Sequence, residues 1–415
     1  MLLSKRSEMF LPDQWPAYFS RAKGCEVWDL DGNAYLDLSL MGVGTNTLGY
    51  GHSDVDEAVS RAIRDGNMST LNCPEELALA EKLISLHPWA SMARFARTGG
   101  EANAVAIRIA RAFSGRDQVA VCGYHGWHDW YLAANISSDS ELDGHLLPGL
   151  EPRGVPRNLA ETVLTFEYNR IDQLADLIKK HDIGVIKMEV QRGDGPADGF
   201  LREVRSLADK HGIILIFDEC TSGFRETFGG LHSKYGVDPD MAVFGKALGN
   251  GYAITAVLGR REIMQAAQST FISSTFWTER IGPSAALKTL EVMEETESWK
   301  KITAIGSEVK SRWSEMADKY GLPLKITGLD ALASFTFEDT ENHLLFKSFI
   351  TQQMLREGFL ATTTLYASIA DTPTILERYF ATLGEVFAKI SSLGPNGVLE
   401  ELDGPVAHSG FRRLN

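Results

Sequence analysis

The run Ile213-Ile214-Leu215-Ile216-Phe217, closed by Asp218-Glu219, is the feature that most narrows the fold. These consecutive apolar residues, rich in β-branched side chains, offer no polar face to solvent. The segment is therefore expected to be a strand buried on both sides, as in parallel sheets covered by helices. The neighbouring chain repeats the pattern. Short apolar runs at 93–95, 119–122, 163–166, 184–190, 241–244 and 256–258 alternate with helical periodicity near 101–113, 170–180, 202–211 and 284–295. The alternation predicts an α/β domain with a mostly parallel, seven-stranded sheet flanked by helices.

The ends of the chain read differently. Residues 26–38 alternate around Asp31-Gly32 and predict a β-hairpin. From about residue 54 a helix turns Val55, Ala58, Val59, Ala62 and Ile63 to one face, and from about Glu75 a second turns Leu77, Ala80, Leu83 and Ile84 inward. Between Ser137 and Asn158 the density of glycine and proline predicts a long surface loop. Past residue 300 the order is helix, strand, helix, with Phe335-Thr336-Phe337 as strand. The expected organisation is an N-terminal segment 1–50 packed with the small domain, a large domain 51–300, and a small α+β domain 301–415.

Composition excludes several classes. A net charge of −14 speaks against nucleic acid or an anionic membrane as partner. The start, Met1-Leu2-Leu3-Ser4-Lys5-Arg6, has no signal-peptide stretch, and no apolar run approaches the roughly 18 residues that span a bilayer. The 4 cysteines are scattered without a Cys-x-x-Cys pair, so neither a disulfide framework nor a zinc site is expected, and the cytoplasm is the expected location.

Three segments carry candidate chemistry. In Arg94-Phe95-Ala96-Arg97-Thr98-Gly99-Gly100-Glu101 a strand, a Gly-Gly turn and a helix start follow one another. The glycines allow close backbone approach and the helix start is partly positive, which suits a phosphate. Alone, the same segment is also an ordinary βα turn. In Gly123-Tyr124-His125-Gly126-Trp127-His128-Asp129, aromatic rings at a strand end either stack on a planar ligand or pack beneath a loop. The spacing of His125, His128 and Asp129 fits a metal on a helix face, but the glycine and clustered tryptophans oppose it, and no metal is expected.

The third is the pair Asp218 and Lys246, at the ends of two apolar runs. An N-cap or salt bridge explains the acid, and snorkelling the lysine. In α/β sheets, however, the C-terminal ends of strands face the ligand crevice. There a partly desolvated lysine gains nucleophilicity towards an aldehyde, and a buried carboxylate can neutralise a protonated ring nitrogen. Those are the two groups that pyridoxal phosphate (PLP) needs.

With these residues in order, the chain resembles the class III (ω-type) aminotransferases of PLP fold type I, and within them the branch containing glutamate-1-semialdehyde aminomutase. The resemblance is carried by Thr98-Gly99-Gly100-Glu101-Ala102, Tyr124-His125-Gly126, Glu189, Asp218-Glu219-Cys220-Thr221-Ser222-Gly223-Phe224-Arg225, Lys246 and Ser274-Thr275. It implies that Lys246 forms the Schiff base and shuttles the proton, and that Asp218 pairs with the ring nitrogen. It also implies that Gly99 and Gly100 hold the phosphate, that Tyr124 and Cys220 flank the ring, and that His125 and Glu189 complete the cofactor site. Thr275 is implied to reach the cofactor of a second subunit, making the enzyme a homodimer with shared sites.

Some positions depart from the family pattern. Gly100 stands where threonine is usual, Cys220 where valine is, and Val190 where proline follows the glutamate. Thr221 replaces a longer side chain, and Ser274-Thr275-Phe276-Trp277-Thr278-Glu279-Arg280 replaces a Gly-Thr start and an Asn-Pro dipeptide. These changes leave lysine and acid intact and alter the substrate walls, for which Trp15, Trp127, Trp277 and Arg192 are candidates or simple packing residues. The expected reaction moves an amino group from an amine or amino-acid donor to a carbonyl acceptor, with a sugar-like substrate favoured by the aromatic wall. The alternative is an intramolecular aminomutase of the glutamate-1-semialdehyde type.

Overall fold

The computed structural model describes residues 6–138, 140–145, 149–191 and 193–408. The described chain divides into two compact units, one of residues 54–295 and one of 6–53 with 296–408.

The larger unit is built on seven strands: β1 (Met92–Ala96), β2 (Gln118–Cys122), β3 (Val163–Thr165), β4 (Ile183–Glu189), β5 (Ile214–Glu219), β6 (Met241–Phe244) and β7 (Thr255–Gly259). Their order across the sheet is β1-β7-β6-β5-β4-β2-β3. The five strands from β6 to β3 run parallel, and β7 is antiparallel to both β6 and β1. Every residue of β4 and β5 is buried, as a run without a polar face requires. Each large apolar side chain removed from water contributes about 1.5–3 kcal/mol. The expected sheet is thus present, with one adjustment: β5 continues through Asp218 and Glu219 rather than stopping before them.

Helices cover the sheet. The Gly99–Ser114 helix buries Ala102, Val105, Ala106, Ile109 and Ala110, mostly small residues that let it lie close. In the Ser53–Arg64 helix Val55, Ala58, Val59 and Ala62 are buried as expected, but Ile63 is 57% exposed. Eight residues past Val55, it lies about 80° round the helix and off the stripe. In the Pro74–Leu86 helix the inward pair is Leu79 and Leu83, while Leu77 is exposed. Apolar residues lie on two faces of that helix, and the sheet takes only one.

The second unit contains a four-stranded sheet of Phe19–Lys23, Glu26–Asp29, Ala34–Leu38 and Phe359–Ala361, and a three-stranded sheet of Leu324–Thr327, Leu332–Phe337 and Thr364–Tyr366. The hairpin around Asp31-Gly32 pairs Glu26 with Leu36, and Asp29 Oδ1 accepts from the Asp31 and Asn33 amides. Trp313, Phe335, Phe349, Phe359 and Tyr379 form its core, closed by the helices Ser298–Tyr320, His343–Arg356 and Pro373–Glu400. Among the described residues no helix is long and apolar enough to cross a membrane.

Candidate active site

The parallel strands bring their C-terminal ends to one edge, so β2, β4, β5 and β6 deliver Tyr124, Glu189, Asp218 and Lys246 to the same side of the sheet. Asp218 is 3% exposed. Its Oδ2 accepts from Asn103 Nδ2 at 2.8 Å and lies 2.9 Å from His125 Nδ1. Its Oδ1 accepts from the Cys220 amide at 3.1 Å. Lys187 Nζ stands 3.8 Å from Oδ2, fully buried on β4. Burial would raise the Asp218 carboxyl, but Lys187 and His125 outweigh it and hold it well below the ordinary carboxylate range. His125 is buried, with Nε2 3.2 Å from the Cys122 carbonyl oxygen. Burial lowers its affinity for a second proton, and the Asp218 carboxylate opposes that.

Lys246 follows β6 directly. Its φ of +42° is unusual for a residue with a side chain. Holding it there costs on the order of 1–3 kcal/mol, a strain typical of functional positions. The preceding Gly245 leaves little room for a side chain: a Cβ there would stand 3.0 Å from Thr255 Cγ2 and 3.4 Å from Cys220 Sγ. Lys246 Nζ donates to Thr221 Oγ1 at 2.7 Å. Since Thr221 lies in the turn that Asp218 opens, amine and acid are tied to one short segment.

The helix over this edge begins at Gly99, two residues earlier than its periodicity predicts, so Gly99 and Gly100 are its first two residues rather than a separate turn. Thr98 and Glu101 form a capping box: Thr98 Oγ1 accepts from the Glu101 amide, and Glu101 Oε2 accepts from the Thr98 amide. The amides that helix geometry leaves without an intrahelical acceptor are then those of Gly99 and Gly100. They are the natural donors to an anion. A Cβ on Gly100 would stand 3.5 Å from His128 and Trp127, and one on Gly99 3.5 Å from Cys220 Sγ. Cys220 thus sits between Gly99 and Gly245, while Tyr124 packs at the rim of the core, its ring edge-on to Tyr131. Glu189 Oε2 accepts from the Tyr124 amide at 3.0 Å. Gly123, at φ +105°, passes so close to Glu189 that a Cβ there would meet Oε2 at 2.6 Å.

Of the remaining candidates, Trp127 borders this edge, its Nε1 3.5 Å from where a Cβ on Gly100 would stand. Thr275 is exposed, at the start of the short Thr275–Thr278 helix. Trp127 is exposed, Trp277 packs on the core of the larger unit, and Trp15 stacks on Phe10 in the smaller one. Arg192 lies outside the described residues. Two residues around the acid, Asn103 and Lys187, escape the sequence patterns, and Thr221, expected only as a shortened position, gains a contact to Lys246. Asn103 is one helical turn past Gly99, and Lys187 is the only charge inside the apolar stretch Ile183–Met188, a signal visible in hindsight.

A strained lysine, a buried ionised acid and two helix-start amides fit pyridoxal phosphate, with its aldehyde, ring nitrogen and phosphate. Comparison with known proteins agrees. The family model "Aminotransferase class-III" matches residues 12–375. The 3-aminobutyryl-CoA aminotransferase of Cloacimonas acidaminovorans is 35% identical over 347 residues, covering 81% of this chain and 80% of that one. The 2'-deamino-2'-hydroxyneamine transaminase of Streptomyces kanamyceticus is 30% identical, covering 90% and 93%. A glutamate-1-semialdehyde 2,1-aminomutase of Methanothrix thermoacetophila is 33% identical, covering 78% and 76%. The FumI protein of Sphingopyxis sp. MTA144, solved in its PLP internal aldimine form, superposes with a TM-score of 0.85 at 24% identity, covering 96% of this chain and 93% of that one, and shares the fold. The residues at the sheet edge and the match along most of the chain lead to one assignment: the chain belongs to the class-III aminotransferases, PLP-dependent enzymes of fold type I.

Proposed function

We propose that Lys246 and Asp218 are the catalytic pair of this aminotransferase. The observation that carries the reading is the Lys246–Thr221 hydrogen bond, which ties the amine to the turn opened by the buried acid. When bound, pyridoxal phosphate supplies an aldehyde that takes up an amino group and a ring that draws electrons from the reacting carbon. Lys246 Nζ holds the aldehyde between turnovers and carries the proton to and from the substrate carbon. Asp218 keeps the ring nitrogen protonated, with Oδ1 facing the fewest competing donors. The Gly99 and Gly100 amides bind the phosphate, Tyr124 and Cys220 flank the ring, His125 orients Asp218, and Glu189 fixes the Tyr124 backbone.

The enzyme is read as a cytoplasmic homodimer. Thr275 is exposed, and so are Phe271 and Phe276 beside it in the chain, apolar side chains that a second subunit would cover. The acceptor is read as a polar, sugar-like carbonyl compound. The similarity to a hydroxyneamine transaminase supports that reading.

The test is a screen of amine donors and carbonyl acceptors with purified, cofactor-loaded protein. Stoichiometric release of a keto product from a separate donor supports the transaminase. Isomerisation of a single substrate, with no donor consumed, supports the aminomutase. Retention of the visible cofactor band in Lys246→Ala would remove Lys246 from its role.

A further inference from the structure

β4 reads Ile183-Gly184-Val185-Ile186-Lys187-Met188-Glu189 and is buried at every position, the lysine included. Lys187 is 0% exposed, and among the described residues no acceptor lies within hydrogen-bond distance of its Nζ. A charge that deep is costly unless compensated, and an apolar side chain would fill the strand without that cost. Among the described residues the lysine's ion pair is with Asp218. In the parallel register Lys187 lies beside Ile216 and Glu189 beside Asp218, so Lys187, Glu189 and Asp218 share one face of the sheet, the lysine one pleat below the strand ends. From there Nζ comes within 3.8 Å of Asp218 Oδ2, the oxygen that also takes Asn103 and His125.

We propose that Lys187 is a positioning residue that acts through Asp218 to set how firmly the cofactor's ring nitrogen holds its proton. This rests on the pairing of Asp218 with that nitrogen. A lone buried carboxylate binds a protonated ring nitrogen strongly. A carboxylate already shared with an ammonium below it offers less negative potential above, so the proton is held less tightly and the ring draws electrons less strongly. The lysine also presses Oδ2 into a fixed arrangement and leaves Oδ1 for the cofactor. The other titratable groups facing Lys187 are Glu189 on its own strand, Cys220 after β5 and His125 after β2. Burial lowers the lysine's proton affinity, and Asp218 supports its charge ahead of Cys220 and Glu189.

Two measurements test the idea on Lys187→Met, which keeps length and removes charge. The first is a double-mutant cycle on cofactor-free protein, read by thermal or urea unfolding. Asp218→Asn leaves the Lys187 ammonium uncompensated and is expected to destabilise; adding Lys187→Met should restore part of the loss. Strict additivity overturns the pairing. The second loads wild type, Lys187→Met and Asp218→Asn with cofactor labelled with nitrogen-15 in the ring and follows its NMR shift against pH. In Lys187→Met the signal should move towards the protonated limit, equivalent to about one pH unit. In Asp218→Asn it should move the opposite way. If Asp218→Asn leaves the signal unchanged, the Asp218 assignment fails. If Asp218→Asn moves it and Lys187→Met does not, only the role of Lys187 fails. Lys187→Gln, polar but neutral, serves where Lys187→Met does not fold, with the same two outcomes.

Discussion

Asn103 holds Asp218 directly: its Nδ2 lies 2.8 Å from Asp218 Oδ2 and also 3.2 Å from the His125 carbonyl oxygen. One amide group therefore bridges the acid and the residue that orients it, from the second turn of the helix whose first turn offers Gly99 and Gly100. The helix thus couples the proposed phosphate site to the proposed ring-nitrogen site. Asn103→Leu removes a hydrogen bond to an ionised group, worth about 1.5–3 kcal/mol. The expected result is a lower Tm and a fall in turnover of roughly tenfold or more. Calorimetry and steady-state kinetics check both, and a variant with wild-type values would show that Asn103 does not restrain Asp218.

Thr221 presents the acceptor for Lys246. Thr221→Val keeps the shape and removes the hydroxyl. The fold and cofactor binding should persist, because Asp218 and the helix-start amides are untouched. Turnover should drop by up to about tenfold, the value of one hydrogen bond. Thr221→Ser should recover most of it. Equal kinetics for the valine and serine variants would assign the contact to packing alone.

Arg97 anchors the segment that carries Thr275. Its Nε stands 2.9 Å from Glu279 Oε1, and Nη2 donates to the carbonyls of Trp277 and Glu279 at 3.0 and 2.9 Å. Both side chains are only 12% exposed. Removing one partner of such a pair costs about 3 kcal/mol, since the other is left buried and uncompensated. Glu279 also accepts from the Ile281 and Gly282 amides at the start of the Ile281–Thr296 helix. Arg97→Met should therefore lower Tm by several degrees and weaken dimer formation, as seen by unfolding and by light scattering over a dilution series. A loss of stability with no change in self-association would separate the segment from the proposed interface.

Much of this was legible in the chain because its signals are local. A run such as Ile213–Phe217 has no polar face, so its burial follows from composition alone. Asp218 and Lys246 are visible as charges at the ends of such runs. Residues whose role depends on neighbouring elements were not legible. Asn103 sits on an amphipathic helix like any other polar residue until the helix is placed over β5. Lys187 reads as one lysine in a strand until the register sets it beside Ile216 and below Asp218. Helix faces fail for a similar reason: Leu77 and Leu79 are both apolar, and only tertiary packing decides that Leu79 turns inward.

Asp371, in the smaller unit, gives a pH dependence of stability independent of the cofactor. It is 2% exposed, and its Oδ2 accepts from the Ser368 amide at 2.8 Å. Burial pushes its carboxyl up to about 8 from 3.8, and nearby Asp37 adds to the shift, while the Ser368 amide opposes it. Between those values the folded protein keeps a proton that the unfolded chain has released. Stability from this group is therefore fully present below about pH 4 and falls as pH rises towards 8, by roughly 5 kcal/mol across the window. Asp37, also raised by burial, works in the same direction. Asp371→Asn keeps an acceptor for the Ser368 amide and removes the titration. Its unfolding free energy should match wild type within about 1 kcal/mol near pH 5 and exceed it at pH 8. Urea titrations at pH 5, 6.5 and 8 measure the difference, and a wild-type decline that survives unchanged in the variant would locate the titrating group elsewhere.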